Sequence, residues 1–375
     1  MPPTTTFCST QSKRRLNKRF MKKKVLIIGG GNIGTLIAAD IAEKADVTVY
    51  SSRAREWAER ISVYDDNGAL CFTSGRIAVT DDPENATKNA DWVFVTVPAF
   101  MFGDIAKRME NSVSAGQVIC VVPGGGGAEF AFKRLSDKGA TLVGFQRVHS
   151  IARLKEYGKS VCALGRKNRI EIASIPSRLA AGLCAEIEKL FSMPCTSLNN
   201  YLCLTLTPSN PILHTSRLYA LFRDYRREKT YERNSLFYEE WDDFSSRVLL
   251  EMDAELQALC AAIPLDLREV VSLKNHYESF SVQAMTEKIR SIAAFKGIYT
   301  PMRADGGKYR PDFSSRYFIS DFDFGLKIIY DIAVLFGVKT PVIKSVLDWY
   351  FSVTDESRSV FEMKIGKDEL LTYYS

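Results

Sequence analysis

Metal-ligating and redox-active residues are sparse in this sequence of 375 residues. It has only three histidines, and no two of its eight cysteines have CxxC spacing, so it encodes no local zinc or dithiol motif and no metal site is predicted. Most cysteines lie in apolar runs such as QVICVV around Cys120, where a free thiol behaves as a small hydrophobic side chain. This usage predicts a reducing compartment and a cytoplasmic protein.

Long apolar runs are also missing. No stretch approaches the roughly 20 apolar residues that span a bilayer, so no membrane partner is predicted. The uncharged segment Val25–Ala39 follows a basic stretch and has the layout of a signal peptide. Three consecutive glycines and a fourth nearby interrupt it, which predicts a strand, a turn and a helix instead.

Acidic residues are absent from the first 24 positions, which hold eight lysines and arginines. Without those eight, the chain has 42 basic residues against 44 acidic ones and is near neutral, so no nucleic-acid partner is predicted. Residues 1–20 are predicted to form a disordered basic tail. The alternative is a segment for organelle targeting or for an acidic partner.

The composition, 46% hydrophobic and 25% charged, predicts a soluble chain long enough for two domains. Short apolar runs typical of buried parallel strands alternate with helical patterns up to about residue 175. These runs are VLII (25–28), VTVY (47–50), WVFVTV (92–97), VICVV (118–122) and TLVGF (141–145), and the runs 160–165 and 169–175 are predicted as a closing pair of strands. After about residue 200 the apolar spacing becomes helical, over Glu239–Ala262 and over Val334–Val353 with a break at Pro341. We therefore predict an α/β domain with a Rossmann-type doubly wound sheet over 21–200 and a mostly α-helical domain over 201–375.

A glycine-rich string, GGGNIG, follows the first predicted strand and opens a helix. In this context Gly29 permits a tight turn, Gly31 lets the backbone approach a pyrophosphate, and Gly34 lets the helix pack on the strand. Asn32 and Ile33 complete the string at the helix start, where free N–H groups and the positive dipole end favour phosphates. The alternative is a glycine-rich turn without a ligand.

An acidic residue is missing at the end of the second predicted strand, where NAD sites usually carry Asp or Glu for the ribose 2′-hydroxyl. Ser51, Ser52 and Arg53 stand there instead. These side chains suit a 2′-phosphate, with Arg53 offering a charge-assisted hydrogen bond. NADP(H) is therefore favoured, and NAD(H) remains possible because the triplet could simply be a solvated loop.

One of the three histidines, His214, lies in the string TPSNPILH. Asn210 is a good N-cap and Pro211 suits the first helical position, so a helix is predicted to begin here. The helix dipole disfavours a charged imidazole in the first turn, which helps His214 act as a base. The alternative is a structural or surface histidine.

A charged cluster lies in the aromatic stretch RYFISDFDFGL, which holds Arg316, Asp321 and Asp323. Charges buried among aromatic rings are costly unless they are paired. The cluster therefore predicts either a ligand site or an internal pair between Arg316 and one of the two acids.

Together these strings resemble the octopine/nopaline (opine) dehydrogenase family over about residues 24–353. The strings that carry the resemblance are TVPAF (96–100), PGGGGAE (123–129), QRVHSIAR (146–153), NPILH (210–214), FYEEW (237–241) and RYFISDFDFGL (316–326). The family joins the amine of an amino acid to the carbonyl of a 2-oxo acid by reduction with a nicotinamide cofactor.

The resemblance implies a catalytic pair of His214 and Asp321 in the cleft between the domains. It also implies that Arg316 binds a substrate carboxylate, that Asn210 lies beside the substrate, and that Val97 and Pro98 lie at the nicotinamide.

The chain departs from the family pattern at three positions. Ser320 replaces a frequent acid, Asp323 replaces a frequent proline, and His149 replaces the proline after QRV, near where a substrate would enter. Asp323 could add charge to the pocket or take over the pairing with the histidine.

Two other functions remain possible. One is a ketopantoate-reductase-like NADP-dependent reductase, with a catalytic lysine at Lys274, Lys288 or Lys296. The other is a non-catalytic NADP-binding sensor, because a fold does not fix a function.

Overall fold

The computed structural model describes residues 22–208, 210–354 and 361–374, and the predicted tail 1–20 lies outside them. The strands are β1 (Lys23–Ile28), β2 (Ala45–Tyr50), β3 (Ser62–Tyr64), β4 (Leu70–Thr73), β5 (Ile77–Thr80), β6 (Trp92–Val95), β7 (Val118–Val121), β8 (Thr141–Phe145), β9 (Ser150–Glu156), β10 (Ser160–Arg166), β11 (Ile170–Ile175), β12 (Cys195–Ser197), β13 (Met302–Asp305) and β14 (Lys308–Pro311).

The helices are α1 (Asn32–Ile41), α2 (Pro83–Lys88), α3 (Phe102–Met109), α4 (Ala128–Ala131), α5 (Lys133–Asp137), α6 (Ala180–Phe191), α7 (Leu202–Thr205), α8 (Asn210–Phe222), α9 (Asp243–Ala262), α10 (Leu273–His276), α11 (Val282–Ser291), α12 (Arg316–Phe318), α13 (Lys327–Leu335), α14 (Pro341–Val353) and α15 (Lys367–Tyr374). A π-helix, Ile319–Leu326, joins α12 to α13.

The N-terminal half is built on an eight-stranded sheet with the order β12-β11-β8-β7-β6-β1-β2-β5. Every residue of β6, β7 and β8 is buried, as expected for central strands covered on both faces. Six neighbouring strands of this sheet run parallel, namely β5, β2, β1, β6, β7 and β8. Strand β11 pairs with β8 in the antiparallel direction. The predicted Rossmann-type sheet is confirmed, and its parallel strands end at one common edge.

The runs 160–165 and 169–175 form strands β10 and β11, as predicted, but the prediction that they pair with each other is wrong. β10 pairs with β9 and β3 in a separate four-stranded sheet of order β4-β3-β10-β9, whereas β11 belongs to the large sheet. The two strands satisfy their backbone groups with different neighbours, and short apolar runs do not specify which neighbour is used. The small sheet packs on α1, where the Asn32 side chain accepts a hydrogen bond of 2.8 Å from the Leu154 amide.

The C-terminal half is mostly α-helical, as predicted, with the hairpin of β13 and β14 as an addition. α9 begins at Asp243, later than the predicted Glu239, because the Asp242 side chain accepts a hydrogen bond from the Ser245 amide and caps the helix. The predicted break at Pro341 separates α13 from α14, and Pro341 occupies the first turn of α14.

The two halves share one hydrophobic core, which includes Leu26 and Val95 from the sheet and Leu249 and Ile329 from the helices. This shared core holds the carboxyl edge of the parallel strands against α8 and the π-helix. None of the helices in the described ranges is long and apolar enough to cross a membrane.

Candidate active site at the carboxyl edge of the sheet

The glycine-rich turn between β1 and α1 fits a dinucleotide. Gly29 has φ +118°, a conformation open to glycine, and its carbonyl accepts a hydrogen bond of 3.0 Å from the Thr96 hydroxyl. A methyl group at Gly34 would lie 1.8 Å from the Gly29 carbonyl oxygen, whereas one at Gly31 would meet nothing within 4 Å. Gly34 therefore permits close packing, and Gly31 leaves open space where a pyrophosphate can approach the backbone.

The amino end of α1 is suited to anionic groups. No side chain caps it and no acidic residue lies in its first turn, so its N–H groups and dipole are available to phosphates. The Asn32 side chain is engaged with Leu154, and Ile33 packs against the core beneath the sheet. These two predicted residues can therefore contribute to the phosphate site mainly through their backbone.

The predicted 2′-phosphate triplet lies at the end of β2. The buried Ser51 hydroxyl lies 2.8 Å from the Tyr157 hydroxyl and accepts a hydrogen bond from the Arg53 amide, whereas Ser52 is exposed. The Arg53 guanidinium lies 3.5 Å above the Tyr157 ring and 3.4 Å from a Glu56 carboxylate oxygen. Tyr157 thus supports both Ser51 and Arg53, a role that nothing in the local sequence around 51–53 indicates.

The carboxyl edge of the parallel strands, which is the predicted cofactor edge, meets the helical half at the end of β6. Val97 and Pro98 are half-buried just beyond β6, and a methyl group at Gly29 would lie 3.2 Å from Val97. A methyl group at Gly126 would lie 2.6 Å from Ala99 and 3.6 Å from the Phe324 carbonyl oxygen. The loop of residues 123–127 after β7, called the glycine loop, therefore brings the end of β6 against the π-helix.

His214 of α8 and Asp321 of the π-helix come together where these two helices face the carboxyl edge of the sheet. The His214 Nδ1–H donates to the Asp321 carboxylate over 2.6 Å, and the two side chains are only 9% and 13% exposed. Pro211 in α8 packs on Gly325 of the π-helix, where a methyl group would lie 2.8 Å from Pro211. The absence of a side chain at Gly325 lets the two helices approach closely enough for this pair.

The other acid of the aromatic stretch faces away from the histidine. Asp323 is buried, and its carboxylate accepts a hydrogen bond of 3.3 Å from the Tyr350 hydroxyl. Arg316 is exposed at the start of α12, while Asn210 is exposed one turn before His214 on the same helix. The structure therefore pairs the histidine with Asp321 and leaves Arg316 exposed.

The histidine after QRV, expected near the substrate entrance, lies elsewhere. His149 is 1% exposed, its Nε2 is 2.9 Å from the Asp40 carboxylate, and Asp40 also binds Arg166 over 2.6 Å. The ring packs on Phe191. A buried imidazole needs a polar partner, and Asp40 of α1 supplies it. Because Asp40 also binds Arg166 of β10, this contact links His149 and α1 to the small sheet.

Aromatic side chains surround the His214 ring. The Tyr238 hydroxyl lies 2.7 Å from His214 Nε2, and the Tyr317 ring centroid lies 4.6 Å from that of the imidazole. Burial raises the pKa of Tyr238, and the neighbouring Tyr317 hydroxyl and Asp321 carboxylate raise it further. Burial also raises the pKa of Tyr317, against which Arg316 and Arg153 act in the opposite direction. The sequence argument missed Tyr238, although it stands in the FYEEW string.

Glu129 anchors the glycine loop from behind. Its buried carboxylate accepts hydrogen bonds from Thr205 and, over 2.7 Å, from Tyr374 in α15, while its backbone carbonyl accepts one from Tyr373. Burial raises the pKa of Glu129 to about 7, and the bonds from Thr205 and Tyr374 partly oppose this. Glu129 lies in the family-like string PGGGGAE, but the sequence did not predict it as a site residue.

The described residues contain no group of three or more His, Cys, Asp and Glu side chains arranged to hold a metal ion. A Rossmann-type sheet whose cofactor edge faces a buried histidine–carboxylate pair defines a two-domain dehydrogenase of the nicotinamide-dependent class.

Comparison with known families gives the assignment. Residues 197–354 match the model of the NAD/NADP octopine/nopaline dehydrogenase α-helical domain, and residues 24–144 match that of the NAD-dependent glycerol-3-phosphate dehydrogenase N-terminus. The opine dehydrogenase of Haliotis discus hannai is 27% identical over 93% of this chain and 95% of its own length. The helical half of this chain, residues 197–354, therefore matches the octopine/nopaline dehydrogenases, and the chain is an NAD(P)-dependent oxidoreductase acting on CH–NH groups.

Solved structures agree with this fold. Octopine dehydrogenase with NADH and L-arginine has a TM-score of 0.76 at 24% identity, covering 88% of this chain and 89% of that one, and the same enzyme with NADH and pyruvate has 0.74 at 24%, covering 88% of both. Yersinopine dehydrogenase bound to NADP⁺ has a TM-score of 0.62 at 12% identity, covering 88% of this chain and 90% of that one. Both family models that match this chain describe enzymes that use a nicotinamide dinucleotide, which is the cofactor of this chain.

Proposed function

We propose that this chain catalyses the reversible reductive condensation of an amino acid amine with a 2-oxo acid, with His214 as proton carrier and Asp321 as its orienting partner. The observation that carries this proposal is the buried His214–Asp321 pair beside the glycine loop and the end of β6. The pyruvate and L-arginine bound to octopine dehydrogenase are a 2-oxo acid and an amino acid, which supports the same substrate classes here.

The cofactor-binding residues are Gly29, Gly31 and Gly34 with the amino end of α1 for the pyrophosphate, and Val97 and Pro98 for the nicotinamide end. The reduced nicotinamide, when bound, supplies the hydride that the imine carbon receives. NADP(H) is the favoured form, because neither Asp nor Glu stands at positions 51–53 directly after β2 and Arg53 offers a guanidinium there.

The His–Asp pair can move the protons that condensation requires. Asp321 accepts the Nδ1–H bond and so fixes the tautomer in which Nε2 carries the lone pair. An imidazole positioned in this way can take a proton from the substrate ammonium group and return it to the oxygen that leaves as water. Such general acid–base assistance typically contributes roughly 10²–10⁴-fold in rate.

The exposed Arg316 is the proposed partner of a substrate carboxylate. Arg316 directly precedes Tyr317, whose ring packs on His214, and its positive charge lowers the pKa of Tyr317 against the effect of burial; a carboxylate bound by Arg316 would then lie on the side of the imidazole. A planar guanidinium can bind a carboxylate through two parallel hydrogen bonds, which fixes orientation as well as position. Asn210, one helical turn before His214, is placed to assist at the same end of α8.

The direct test measures NADPH and NADH consumption over a panel of amino acids and 2-oxo acids, with each substrate also omitted in turn. The proposal expects consumption only when both are present, and a product whose mass is their sum minus water plus two hydrogens. Consumption with a 2-oxo acid alone would instead identify a ketopantoate-reductase-like enzyme and draw attention to Lys274, Lys288 and Lys296.

A further inference from the structure

A buried hydroxyl covers the nitrogen of His214 that should exchange protons with a substrate. The Tyr238 oxygen lies 2.7 Å from His214 Nε2, and Tyr238 is 4% exposed. Its ring stacks on Phe295 with centroids 4.1 Å apart and meets Phe237 edge-on at 4.8 Å. The hydroxyl is therefore held in place by its ring on two sides and has little freedom to leave the imidazole.

The hydrogen-bond directions in this chain of groups follow from Asp321. A carboxylate can only accept, so the Nδ1–H of a neutral imidazole donates to it, and Nε2 is left as an acceptor. The Tyr238 hydroxyl must then donate to Nε2. The Nε2 atom of His214 is consequently engaged by the Tyr238 hydroxyl.

We propose that Tyr238 is a further catalytic residue, which carries the proton between His214 Nε2 and the substrate oxygen or nitrogen. This inference rests on the proposed function, since it assigns a route to the proton that His214 exchanges. The route runs from the imidazole to the phenol while Asp321 orients the imidazole, and the three side chains are joined by hydrogen-bond contacts of 2.6 and 2.7 Å.

The dehydration step of the condensation balances through this route. The Tyr238 O–H bond breaks as its proton passes to the hydroxyl of the carbinolamine, and the C–O bond breaks with its electron pair going to the departing water. The amine lone pair forms the C=N bond, while the protonated His214 passes its Nε2 proton to the Tyr238 oxygen. His214 has gained that proton earlier, from the substrate ammonium group, by the reverse passage through the same hydroxyl.

The surroundings of Tyr238 require the two transfers to be concerted. A free phenolate is disfavoured there, because burial and the nearby Asp321 carboxylate raise the pKa of Tyr238. The phenol therefore gives up one proton only as it receives another, and two protons should move in the same transition state. A hydroxyl that merely packs beside the imidazole would not produce this signature.

The test compares the wild type with Tyr238→Phe, which keeps the ring stack on Phe295 and removes only the hydroxyl. We expect kcat to fall by about 10²-fold or more, within the range of a lost general acid–base group, with unchanged cofactor binding. In mixtures of H₂O and D₂O the wild-type rate should show a curved, two-proton dependence. Tyr219→Phe is the matched control, because Tyr219 lies on another face of α8 and packs on Trp349.

Three results would overturn the assignment: kcat of Tyr238→Phe within threefold of the wild type, a linear one-proton dependence in the wild type, or an equal loss in Tyr219→Phe. If Tyr238→Phe unfolds, a fluorotyrosine at 238 keeps the shape and makes the phenol more acidic. The assignment then expects kcat to change and would be refuted by an unchanged kcat. Retained turnover in His214→Ala would refute the proposed function itself, whereas an inactive His214→Ala beside a fully active Tyr238→Phe would refute only the role of Tyr238.

Discussion

The His214 imidazole and the Asp321 carboxylate form a hydrogen bond of 2.6 Å although 107 residues separate them in the chain. The bond joins α8 to the π-helix, the two elements that face the carboxyl edge of the sheet. The orientation of the imidazole therefore depends on the packing of two segments that are distant in the chain.

Loss of the imidazole should abolish most of the chemistry. His214→Ala is expected to lower kcat by roughly 10²–10⁴-fold with cofactor binding intact, because only proton transfer is removed. Asp321→Asn should act in the same direction by favouring the wrong tautomer. The double variant should lose little more than His214→Ala alone, as measured by steady-state kinetics, and full additivity would mean that Asp321 acts elsewhere.

Arg53 should distinguish the two cofactors. Arg53→Ala is expected to weaken NADPH binding by about 1.5–3 kcal/mol, the scale of a hydrogen bond to a charged group, and to leave NADH nearly unchanged. Fluorescence titration of both cofactors measures this difference. Arg55→Ala is the matched control, because Arg55 is also exposed and stands two residues away.

The ion pair between Arg53 and Glu56 allows a second test of whether Arg53 binds the 2′-phosphate. Arg53 and Glu56 are about half exposed, so their attraction is weak, but it competes with a 2′-phosphate for the guanidinium. Glu56→Gln should therefore leave NADPH binding equal or tighter. Equal losses for NADPH and NADH in Arg53→Ala would show that Arg53 does not bind the 2′-phosphate.

Two glycines of the cofactor turn should separate folding from binding. Gly34→Ala places a methyl group 1.8 Å from the Gly29 carbonyl oxygen and should cost about 1–3 kcal/mol of stability, or about 3–10 °C in Tm. Gly31→Ala has open space and should leave the Tm of the cofactor-free protein unchanged. The same Gly31→Ala should weaken both cofactors, because the methyl group blocks approach of the pyrophosphate; undiminished affinity would move the phosphate site away from Gly31.

Glu129 should make stability depend on pH between about 4.5 and about 7. Burial raises the pKa of Glu129 in the folded protein to about 7, from 4.5 in the unfolded chain. Below pH 4.5 both states hold the proton, and as the pH rises towards 7 only the unfolded chain releases it, so the free energy of unfolding falls, by up to about 3 kcal/mol.

Glu129→Gln should remove this dependence, because an amide of the same shape has no proton to lose. Thermal unfolding at a series of pH values measures the difference between the two proteins. Glu228→Gln, at an exposed site, serves as the control and should retain the wild-type slope. Parallel pH curves for the wild type and Glu129→Gln would show that Glu129 is not protonated in the folded protein.

Local patterns in the sequence were sufficient for the elements around the cofactor. Short apolar runs predicted β1, β6 and β7, and the glycine spacing predicted the turn into α1, because these features depend on neighbours in the chain. The choice between Asp321 and Asp323 depended on the spacing from Arg316 within the family pattern. Physical reasoning from composition alone left that choice open.

Contacts between distant segments were beyond the sequence argument. Nothing near Ser51 indicates that Tyr157, the residue directly after β9, supports it, and nothing near His149 indicates Asp40. Tyr238 meets His214 only because the segment after α8 returns across the histidine, which is a property of tertiary packing. The separate sheets of β10 and β11 have the same origin, since a strand pattern does not name its partner.

The π-helix Ile319–Leu326 makes the direction of Asp321 a matter of residue count as well as residue identity. Short π segments are wider turns that hold more residues than an α-helix of the same rise. A deletion of one residue between Phe322 and Gly325 would leave the flanking helices close to their present faces only if the segment also rewound as a regular α-helix, because each α residue turns by about 100° and each residue of the wider π turn by less. A relative shortened here would therefore keep both Asp321 at its histidine and α13 in its core only with an α-helical segment in place of the π-helix.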